Sequence, residues 1–429
     1  MRVALVNPRW DYTGSIYFGC RAPHLPLEFG YARALLQDQK HDVLLIDAHA
    51  SDLSHSDTAD AVAAFGAEMT VIATAPTYLF WRCAPPELRV PIQLITELDH
   101  RGGRTIVVGP HGSVTPAATL RKLQADIVVL GECEDALVEL ASDPARQVAG
   151  TASLNDGHIV LNGRSRATDM TTLPALVWED EIIHRHDHHH HRFDREPTGP
   201  GAEVEASRGC PYHCSFCAKM DYRDAYRRRN IDVILKEIDG LVAQGVQYLY
   251  FIDEIFLPNR PLLDALIQRP IEFGVQTRID LWSSELLELL GRAGCVSIEA
   301  GVESLTEAGR HSLDKKCRLS TEELADRLIA ARRQVPFVQA NLIAMADDEA
   351  DLVMKWRERL QRHGVWANDP VPLYPYPSSP EYRRLFGAPD DFAWERAHAH
   401  YLAQFPHFSD IQEIQPSPLQ DLEEACLHG

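Results

Sequence analysis

The chain has no long apolar run: nothing approaches the roughly 20 consecutive residues that cross a bilayer, so a membrane span is not expected. It is also short of basic charge, with 42 lysines and arginines against 62 aspartates and glutamates, a formal net charge of −20. Phosphate binding needs a basic face, so nucleic acid is not expected as a general partner. Nor is a signal peptide expected, because Met1-Arg2-Val3-Ala4-Leu5-Val6-Asn7-Pro8 has the pattern of a first strand. Nine cysteines, an odd number without a secretion signal, fit reduced thiols in the cytoplasm and argue against a disulfide framework. No internal repeat is evident. What remains is 429 residues, 45% hydrophobic and 24% charged, enough for two domains and suited to small-molecule chemistry.

Residues 1–140 alternate short apolar runs with helix-like segments. Val3–Val6, Val43–Ile46, Thr70–Ala73, Thr105–Val108 and Ile127–Leu130 are strand candidates, with helices over Glu28–Gln37 and Pro91–His100. This alternation predicts an α/β, doubly wound, Rossmann-like parallel sheet, which binds ligands outside the carboxyl ends of its strands. The loops there carry Asn7–Trp10, Thr74-Ala75-Pro76-Thr77-Tyr78, Gly109-Pro110-His111-Gly112-Ser113 and Gly131-Glu132-Cys133-Glu134. Any one of them is as easily an ordinary turn.

A connector is expected over 141–200. It holds the hairpin-like Leu154–Val160 around Asn155-Asp156-Gly157 and a histidine tract, His184–His191, interrupted by Arg185 and Asp187. The tract suits a solvated linker, and the sharper alternative sends one or two imidazoles into a cleft at the domain boundary. From 201 to 380 the alternation resumes, with strands at Ala202–Ala206, Tyr248–Ile252, Gly274–Arg278, Cys295–Ala300, Phe337–Ile343 and Val371–Tyr374. Asn230 is placed to cap a helix over Ile231–Gln244. Six such units predict a partial (β/α)6 barrel with its chemistry at the carboxyl ends of the strands. Residues 381–429 form an amphipathic helical cap with Trp394 and Tyr401 on its apolar side.

Cys210-Pro-Tyr-His-Cys214-Ser-Phe-Cys217 follows the first strand of that second half. Three thiols within eight residues can wrap one inorganic centre, but zinc or an iron–sulfur cubane wants four ligands. Either the fourth comes from elsewhere or one iron stays open. Zinc is disfavoured because no second knuckle follows. Asp253-Glu254, Arg278, Asp280, Glu299, Glu303-Ser304 and Asn341 stand at successive strand ends and mark a site. The basic run Arg223, Arg227, Arg228, Arg229 is expected to be a solvated face, the alternative being attraction of an anionic substrate or reductant. Cys295 is expected in the core, and Cys20 and Cys133 fall incidentally in ligand loops.

The C-x3-C-x2-C loop with Phe216 before its third cysteine resembles the cluster loop of radical S-adenosylmethionine enzymes. More narrowly it is similar to the branch with an N-terminal cobalamin-binding domain. Phe251–Phe256, Ile298–Ser304, Lys315-Lys316 and Tyr376–Tyr382 support the likeness, as do Leu25–Gly30, Val107–His111 and Gly131–Glu134 in the first half. The resemblance implies that Cys210, Cys214 and Cys217 hold a [4Fe–4S] cluster whose open iron is chelated by S-adenosylmethionine. That cofactor is then cleaved to a 5′-deoxyadenosyl radical that abstracts hydrogen from the substrate. It further implies that Asp253 or Glu254 takes the methionine amino group, and that Arg278, Glu303 and Ser304 hold ribose or carboxylate, with Phe216 and Glu299 nearby. Pro76, Thr77, Gly109, Pro110, His111, Gly131 and Glu132 would contact cobalamin, and a flavodoxin or ferredoxin would serve as reductant.

The family's D-x-H-x-x-G pattern is absent, Asp47-Ala48-His49 being the nearest stretch, so no histidine of that motif is expected on cobalt. The turn after the fifth strand, Leu342–Asp348, also departs from the family, and Pro110 stands where a second glycine is usual. The leading expectation is a cobalamin-dependent methyltransferase acting on a carbon of a small molecule. A radical cyclase or rearrangement enzyme is the runner-up. A non-catalytic cluster- and cobalamin-binding sensor is disfavoured by the strand-end acidic set.

Overall fold

The computed structural model describes residues 1–17, 21–77, 83–186, 199–404 and 415–424. Cys20, Tyr78, His188–His191 and Cys426 therefore lie outside the described residues, as do parts of the C-terminal tail. The first half is a sheet built from β1 (Arg2–Asn7), β2 (Asp42–Asp47), β3 (Met69–Ala73), β4 (Arg104–Val108) and β5 (Ile127–Val129), followed by β6 (Thr151–Asn155) and β7 (His158–Asn162). Its order is β2-β1-β3-β4-β5-β6-β7. The first five strands pair in parallel; the apolar residues of β1, β3, β4 and β5 are buried on both faces, as their uninterrupted hydrophobic runs require, whereas Val43–Leu45 of the edge strand β2 are half-buried. The order reverses between β1 and β3, which makes the crevice above their carboxyl ends the switch point where such sheets take ligands.

The hairpin expected in the connector instead continues this sheet, pairing antiparallel onto β5. Its two-residue turn, Asp156-Gly157, has φ of 48° and 77°, which asparagine, aspartate and glycine tolerate best.

The second half is the expected partial barrel. Strands β8 (Gly201–Val204), β11 (Tyr248–Phe251), β12 (Glu272–Thr277), β13 (Cys295–Glu303), β14 (Phe337–Ala344) and β15 (Trp366–Ala367) run in parallel in that order. The sixth unit is split, since a short β16 (Val371–Pro372) also pairs with β14. Two further short strands, β9 (Ser207–Arg208) and β10 (Arg227–Arg228), form an antiparallel ribbon of their own. Asn230 caps the helix Ile231–Ala243, its side chain accepting from the Asp232 N–H at 2.9 Å.

One apolar core runs through both halves, from Val3 and Leu5 to Val204, Phe251 and Val338. The helix Leu27–Asp38 is buried over eight of its twelve residues because it packs on β1, β2 and the helix Glu134–Ser142 and is covered by Trp178, Arg208 and Arg229. Gly30 lets it approach closely: a Cβ there would sit 2.8 Å from the Trp178 ring. The C-terminal helices, Ala393–Gln404 and Leu419–Glu424, form a cap in which Trp394 and Tyr401 are buried in a separate cluster beside Tyr374, Tyr376 and Tyr382. No described helix is long and apolar enough to cross a membrane.

Candidate active site

The cysteine loop is a closed device. The β9–β10 ribbon clips its base, and Gly209 then turns the chain with φ +76°. A Cβ on Gly209 would stand 2.1 Å from the Ala225 carbonyl, so only glycine fits. The buried Lys219 amine donates to the Cys210 carbonyl and the Asp224 carboxylate, each at 2.6 Å. Ser215 N–H donates to Leu313 O at 2.9 Å, and Ser215 O accepts from Glu381 N–H at 2.8 Å. These bonds use the loop's backbone and leave the sulfur chemistry of Cys210, Cys214 and Cys217 to a ligand. Burial pushes the Cys214 thiol up to about 11, while Lys315 and Arg278 beside it pull the other way. Two cations beside the Cys214 sulfur favour its thiolate form, the form that ligates iron.

Among the described residues no three His, Cys, Asp or Glu side chains converge on a single metal ion. A cubane binds its cysteines through different irons, so sulfurs spread along one loop suit it better than zinc.

The strand-end residues divide sharply. Arg278 stacks 4.0 Å over the Tyr212 ring of the cysteine loop and holds Asp280 at 2.8 and 3.2 Å. Its third nitrogen, Nη1, is buried without a hydrogen-bond partner. Glu303, at φ +62° just past a bulge in β13, is ion-paired with Lys315. Glu299 lies in register between Gln276 of β12 and Gln339 of β14, a polar rung across three strands that the sequence reading found only through its acidic member. Phe216 is half-buried between Cys214 and Cys217.

Asp253, Glu254 and Ser304 stand differently from the expectation. The Asp253 carboxylate accepts from Ala206 N–H at 2.8 Å and from the Ser207 hydroxyl, and burial pushes it up to about 7. Glu254 accepts from Gly209 N–H at 2.7 Å and pairs with Arg223 at 2.5 Å. Buried carboxylates need donors, and here the base of the cysteine loop supplies them, so both residues hold the loop rather than await an amino group. Ser304 is likewise engaged: it donates to Asp348 at 2.7 Å and accepts from Thr306 N–H at 3.0 Å.

The expected solvated face is the largest correction. Arg223 and Arg229 are buried, Arg227 is half-buried and only Arg228 is exposed. Arg208 and Arg227 stand directly opposite each other in the β9–β10 ribbon, where like charges repel. Glu132 resolves this from the first sheet's side, meeting Arg208 at 3.2 Å, Arg227 at 3.0 Å and Arg223 at 3.5 Å. Arg208 also meets Glu134 at 2.7 Å and Glu205 at 2.9 Å, and Arg229 meets Glu237 at 2.8 Å. Burial alone would raise the Glu132 carboxyl, but the three guanidiniums outweigh it and hold it at about 2.

Glu132 is therefore an anchor for the cysteine loop and not an open ligand contact. Gly131 is closed as well: a Cβ there would stand 2.5 Å from the Arg166 carbonyl.

The other strand-end positions of the first sheet remain at its switch point. Pro76 and Thr77 are buried after β3, and Thr77 donates a long 3.4 Å bond to Glu28. Gly109 lies against Thr74 and leads through Pro110 into the short helix Pro110–Val114. His111 is buried with its ring 4.3 Å from that of Trp394 in the cap. Burial lowers it to about 3, and neither nitrogen has a hydrogen-bond partner, although the carbonyls of Pro86, Pro85 and Thr74 lie close by. Asp47, in the stretch nearest the missing cobalt motif, faces His186 at 3.7 Å, while His49 accepts from Trp10 N–H at 3.2 Å.

Family models match both halves. The B12 binding domain covers residues 21–141 and the Radical SAM superfamily residues 204–352. The chain joins a B12-binding domain to a radical SAM domain. Among curated proteins it is similar to an uncharacterized methyltransferase of Pyrococcus horikoshii, 26% identical over 71% of this chain and 66% of that protein. It is also similar to the anaerobic magnesium-protoporphyrin IX monomethyl ester cyclase of Cereibacter sphaeroides, 25% identical over 90% of this chain and 64% of that one. The chain thus spans slightly under two thirds of the length of these relatives.

A radical S-adenosylmethionine methyltransferase from Kitasatospora setae, solved with cobalamin and a [4Fe-4S] cluster, shares the fold. Its TM-score is 0.68 at 18% identity, over 89% of this chain and 76% of that one. Within this frame the cysteine loop opens the radical SAM domain, and the Glu132 anchor reaches it from the B12-binding domain. Tyr212, Lys219 and Arg208 were missed as individual residues. Their only sequence signal was adjacency to the cysteines.

Proposed function

We propose that this chain is a cobalamin-dependent radical S-adenosylmethionine enzyme that methylates a carbon of a small-molecule substrate. The observation that carries this is the cysteine loop itself, with Arg278, Lys315 and Glu303 as the charged neighbours of Cys214, on a barrel tied to a B12-binding domain. When bound, the cluster would supply one-electron cleavage of S-adenosylmethionine, and cobalamin would supply the methyl group.

The protein's part is to hold and shield. Cys210, Cys214 and Cys217 would ligate the cluster. Arg278 has a buried, unpartnered Nη1 that suits a carboxylate, and its stacking on Tyr212 fixes that nitrogen relative to the loop. Glu303 and Glu299, with Gln276 and Gln339 beside the latter, offer acceptors and donors for hydroxyl and amino groups. Lys315 is ion-paired with Glu303 and balances negative charge at the sulfurs. Thr77 and His111 are the strand-end residues left to meet cobalamin. A small acidic electron carrier of the flavodoxin or ferredoxin class would serve as reductant.

A cyclisation or rearrangement without net methylation is the second reading, favoured by the cyclase relative that aligns over 90% of this chain. Anaerobically reconstituted protein given dithionite, S-adenosylmethionine, hydroxocobalamin and a substrate panel should release 5′-deoxyadenosine, with S-adenosylhomocysteine alongside it for methyl transfer. Release of 5′-deoxyadenosine alone would favour the second reading. Neither product from a four-iron protein would sink both.

A further inference from the structure

The cap hides a set of polar atoms with nothing to bond. Tyr374 and Tyr376 follow β16, and their hydroxyls are buried without a hydrogen-bond partner. Their rings pack 4.5 Å apart, with Tyr401 5.5 Å from Tyr374 and Trp394 6.3 Å from Tyr376. Trp394 in turn covers His111, whose two ring nitrogens are also unpartnered. Cys83 and Glu87, from the loop between β3 and the helix Arg89–Leu98, are neighbours of Tyr376, and Glu87 already accepts from Ser15 at 3.0 Å. Two separate stretches of chain, Tyr374–Tyr376 and His111, therefore bring hydrogen-bond donors to the same cluster, outside the carboxyl end of β4.

Buried hydroxyls are nearly always satisfied, so a convergent group of unsatisfied ones calls for an occupant. A purely structural core at these positions would be served as well by phenylalanine. The set is rich in donors (phenol O–H, imidazole N–H), so its complement is a molecule rich in acceptors. A corrinoid carries carboxamide carbonyls and a phosphodiester around its rim, and the cluster packs against His111, which follows β4 within the B12-binding domain.

We propose that Tyr374 and Tyr376, delivered by the segment after the last barrel strand and roofed by Trp394, complete the cobalamin site by donating hydrogen bonds to the acceptor groups of the corrinoid rim. This rests on the cobalamin-dependent reading above. The B12-binding domain alone is then an incomplete site, and the C-terminal cap is the part that closes it.

The test is binding, not turnover. Full-length protein carrying its cluster is titrated with hydroxocobalamin by equilibrium dialysis, as wild type and as Tyr374→Phe, Tyr376→Phe and the double variant. One lost hydrogen bond corresponds to about 3- to 10-fold in Kd, so each single variant should weaken binding by that factor and the double variant by more. Iron content and S-adenosylmethionine binding should stay at wild-type values, and the melting temperature of the cobalamin-free protein should hold or rise, because replacing an unbonded buried hydroxyl removes no interaction and relieves the cost of burying it.

Unchanged Kd in the double variant would overturn the proposal. So would a fall in cobalamin-free melting temperature with no change in Kd, since the hydroxyls would then serve the fold. Wild-type protein that binds no cobalamin would instead overturn the reading beneath it.

Discussion

Two buried regions fasten the B12-binding domain to the rest of the chain, and they treat polar groups in opposite ways. Beneath the cysteine loop, Glu132 and Glu134 meet Arg208, Arg223 and Arg227 in a network of ion pairs. Beneath the cap, the hydroxyls of Tyr374 and Tyr376 and the His111 nitrogens are left unbonded. The difference follows from charge. An isolated buried ion costs far more than a neutral group, so charges are paired whenever the chain folds. An unbonded neutral hydroxyl costs about 1–3 kcal/mol, which a fold can carry until a ligand arrives. The first region is finished by the protein; the second waits for something else.

Breaking the finished region should have the largest effect. Glu132→Ala leaves three guanidiniums short of their shared partner, and losing one member of a buried ion pair costs about 3–5 kcal/mol. Urea unfolding should show that loss, and a change below about 1 kcal/mol would mean the network is ornamental. The sign with pH is fixed by the same contact. Glu132 titrates at about 2 in the folded chain, below its ordinary 4.5, so its stabilisation is full above pH 4.5 and disappears as pH falls toward 2. Glu132→Gln should flatten that acid limb.

Glu28 makes the comparison sharper because it borders the network without joining it. Burial pushes its carboxyl up to about 8, Arg208 and Arg223 notwithstanding, and one oxygen has no hydrogen-bond partner. Here the sign reverses. A raised pKa adds stability below pH 4.5 that is lost as pH climbs through 8. Glu28→Gln should therefore be near neutral at pH 5 and stabilising above pH 8, by a few kcal/mol at most, on the order of 1.4 kcal/mol per pKa unit. Equal effects at both pH values would show that the carboxyl is ionised throughout.

The cap offers a smaller perturbation. Lys122 holds it to the B12-binding domain through Glu395 and Glu423, each at 2.7 Å. The amine is partly exposed, so Lys122→Ala should cost about 1 kcal/mol of stability. It should also loosen the cap enough to raise the intrinsic fluorescence response of Trp394 to acrylamide. A quenching profile identical to wild type would place the cap's attachment in its aromatic packing alone.

Much of this architecture was legible in the sequence, and the rest failed for one reason. The parallel strands, the partial barrel and the three cysteines follow from hydrophobic period and spacing, which are local signals. Even the Asn230 cap and the Asp156-Gly157 turn belong to that class. Asp253, Glu254 and Glu132 were recognised as functional by position, yet their partners are 45 or more residues away: Gly209 for Glu254, Arg208 for Glu132. Nothing in a linear pattern says whether a strand-end carboxylate faces a ligand or an arginine. The same blindness made the basic run look solvated.

That basic run supplies the finest test, because four arginines in seven residues have different fates. Arg223 is buried against Glu254 and Glu205, whereas Arg228 is exposed, stacked 5.5 Å from the Tyr226 ring and donating to its hydroxyl at 3.1 Å. An exposed cation–aromatic contact is worth about 0.5–1 kcal/mol at most. Arg228→Ala should therefore move the unfolding midpoint barely beyond error and leave iron content intact. Arg223→Ala should destabilise on the scale of Glu132→Ala and loosen the cysteine loop through Glu254 and Gly209. If Arg228→Ala proved as damaging as Arg223→Ala, charge along the run as a whole would matter more than burial, and the division between paired and waiting groups would lose its physical basis.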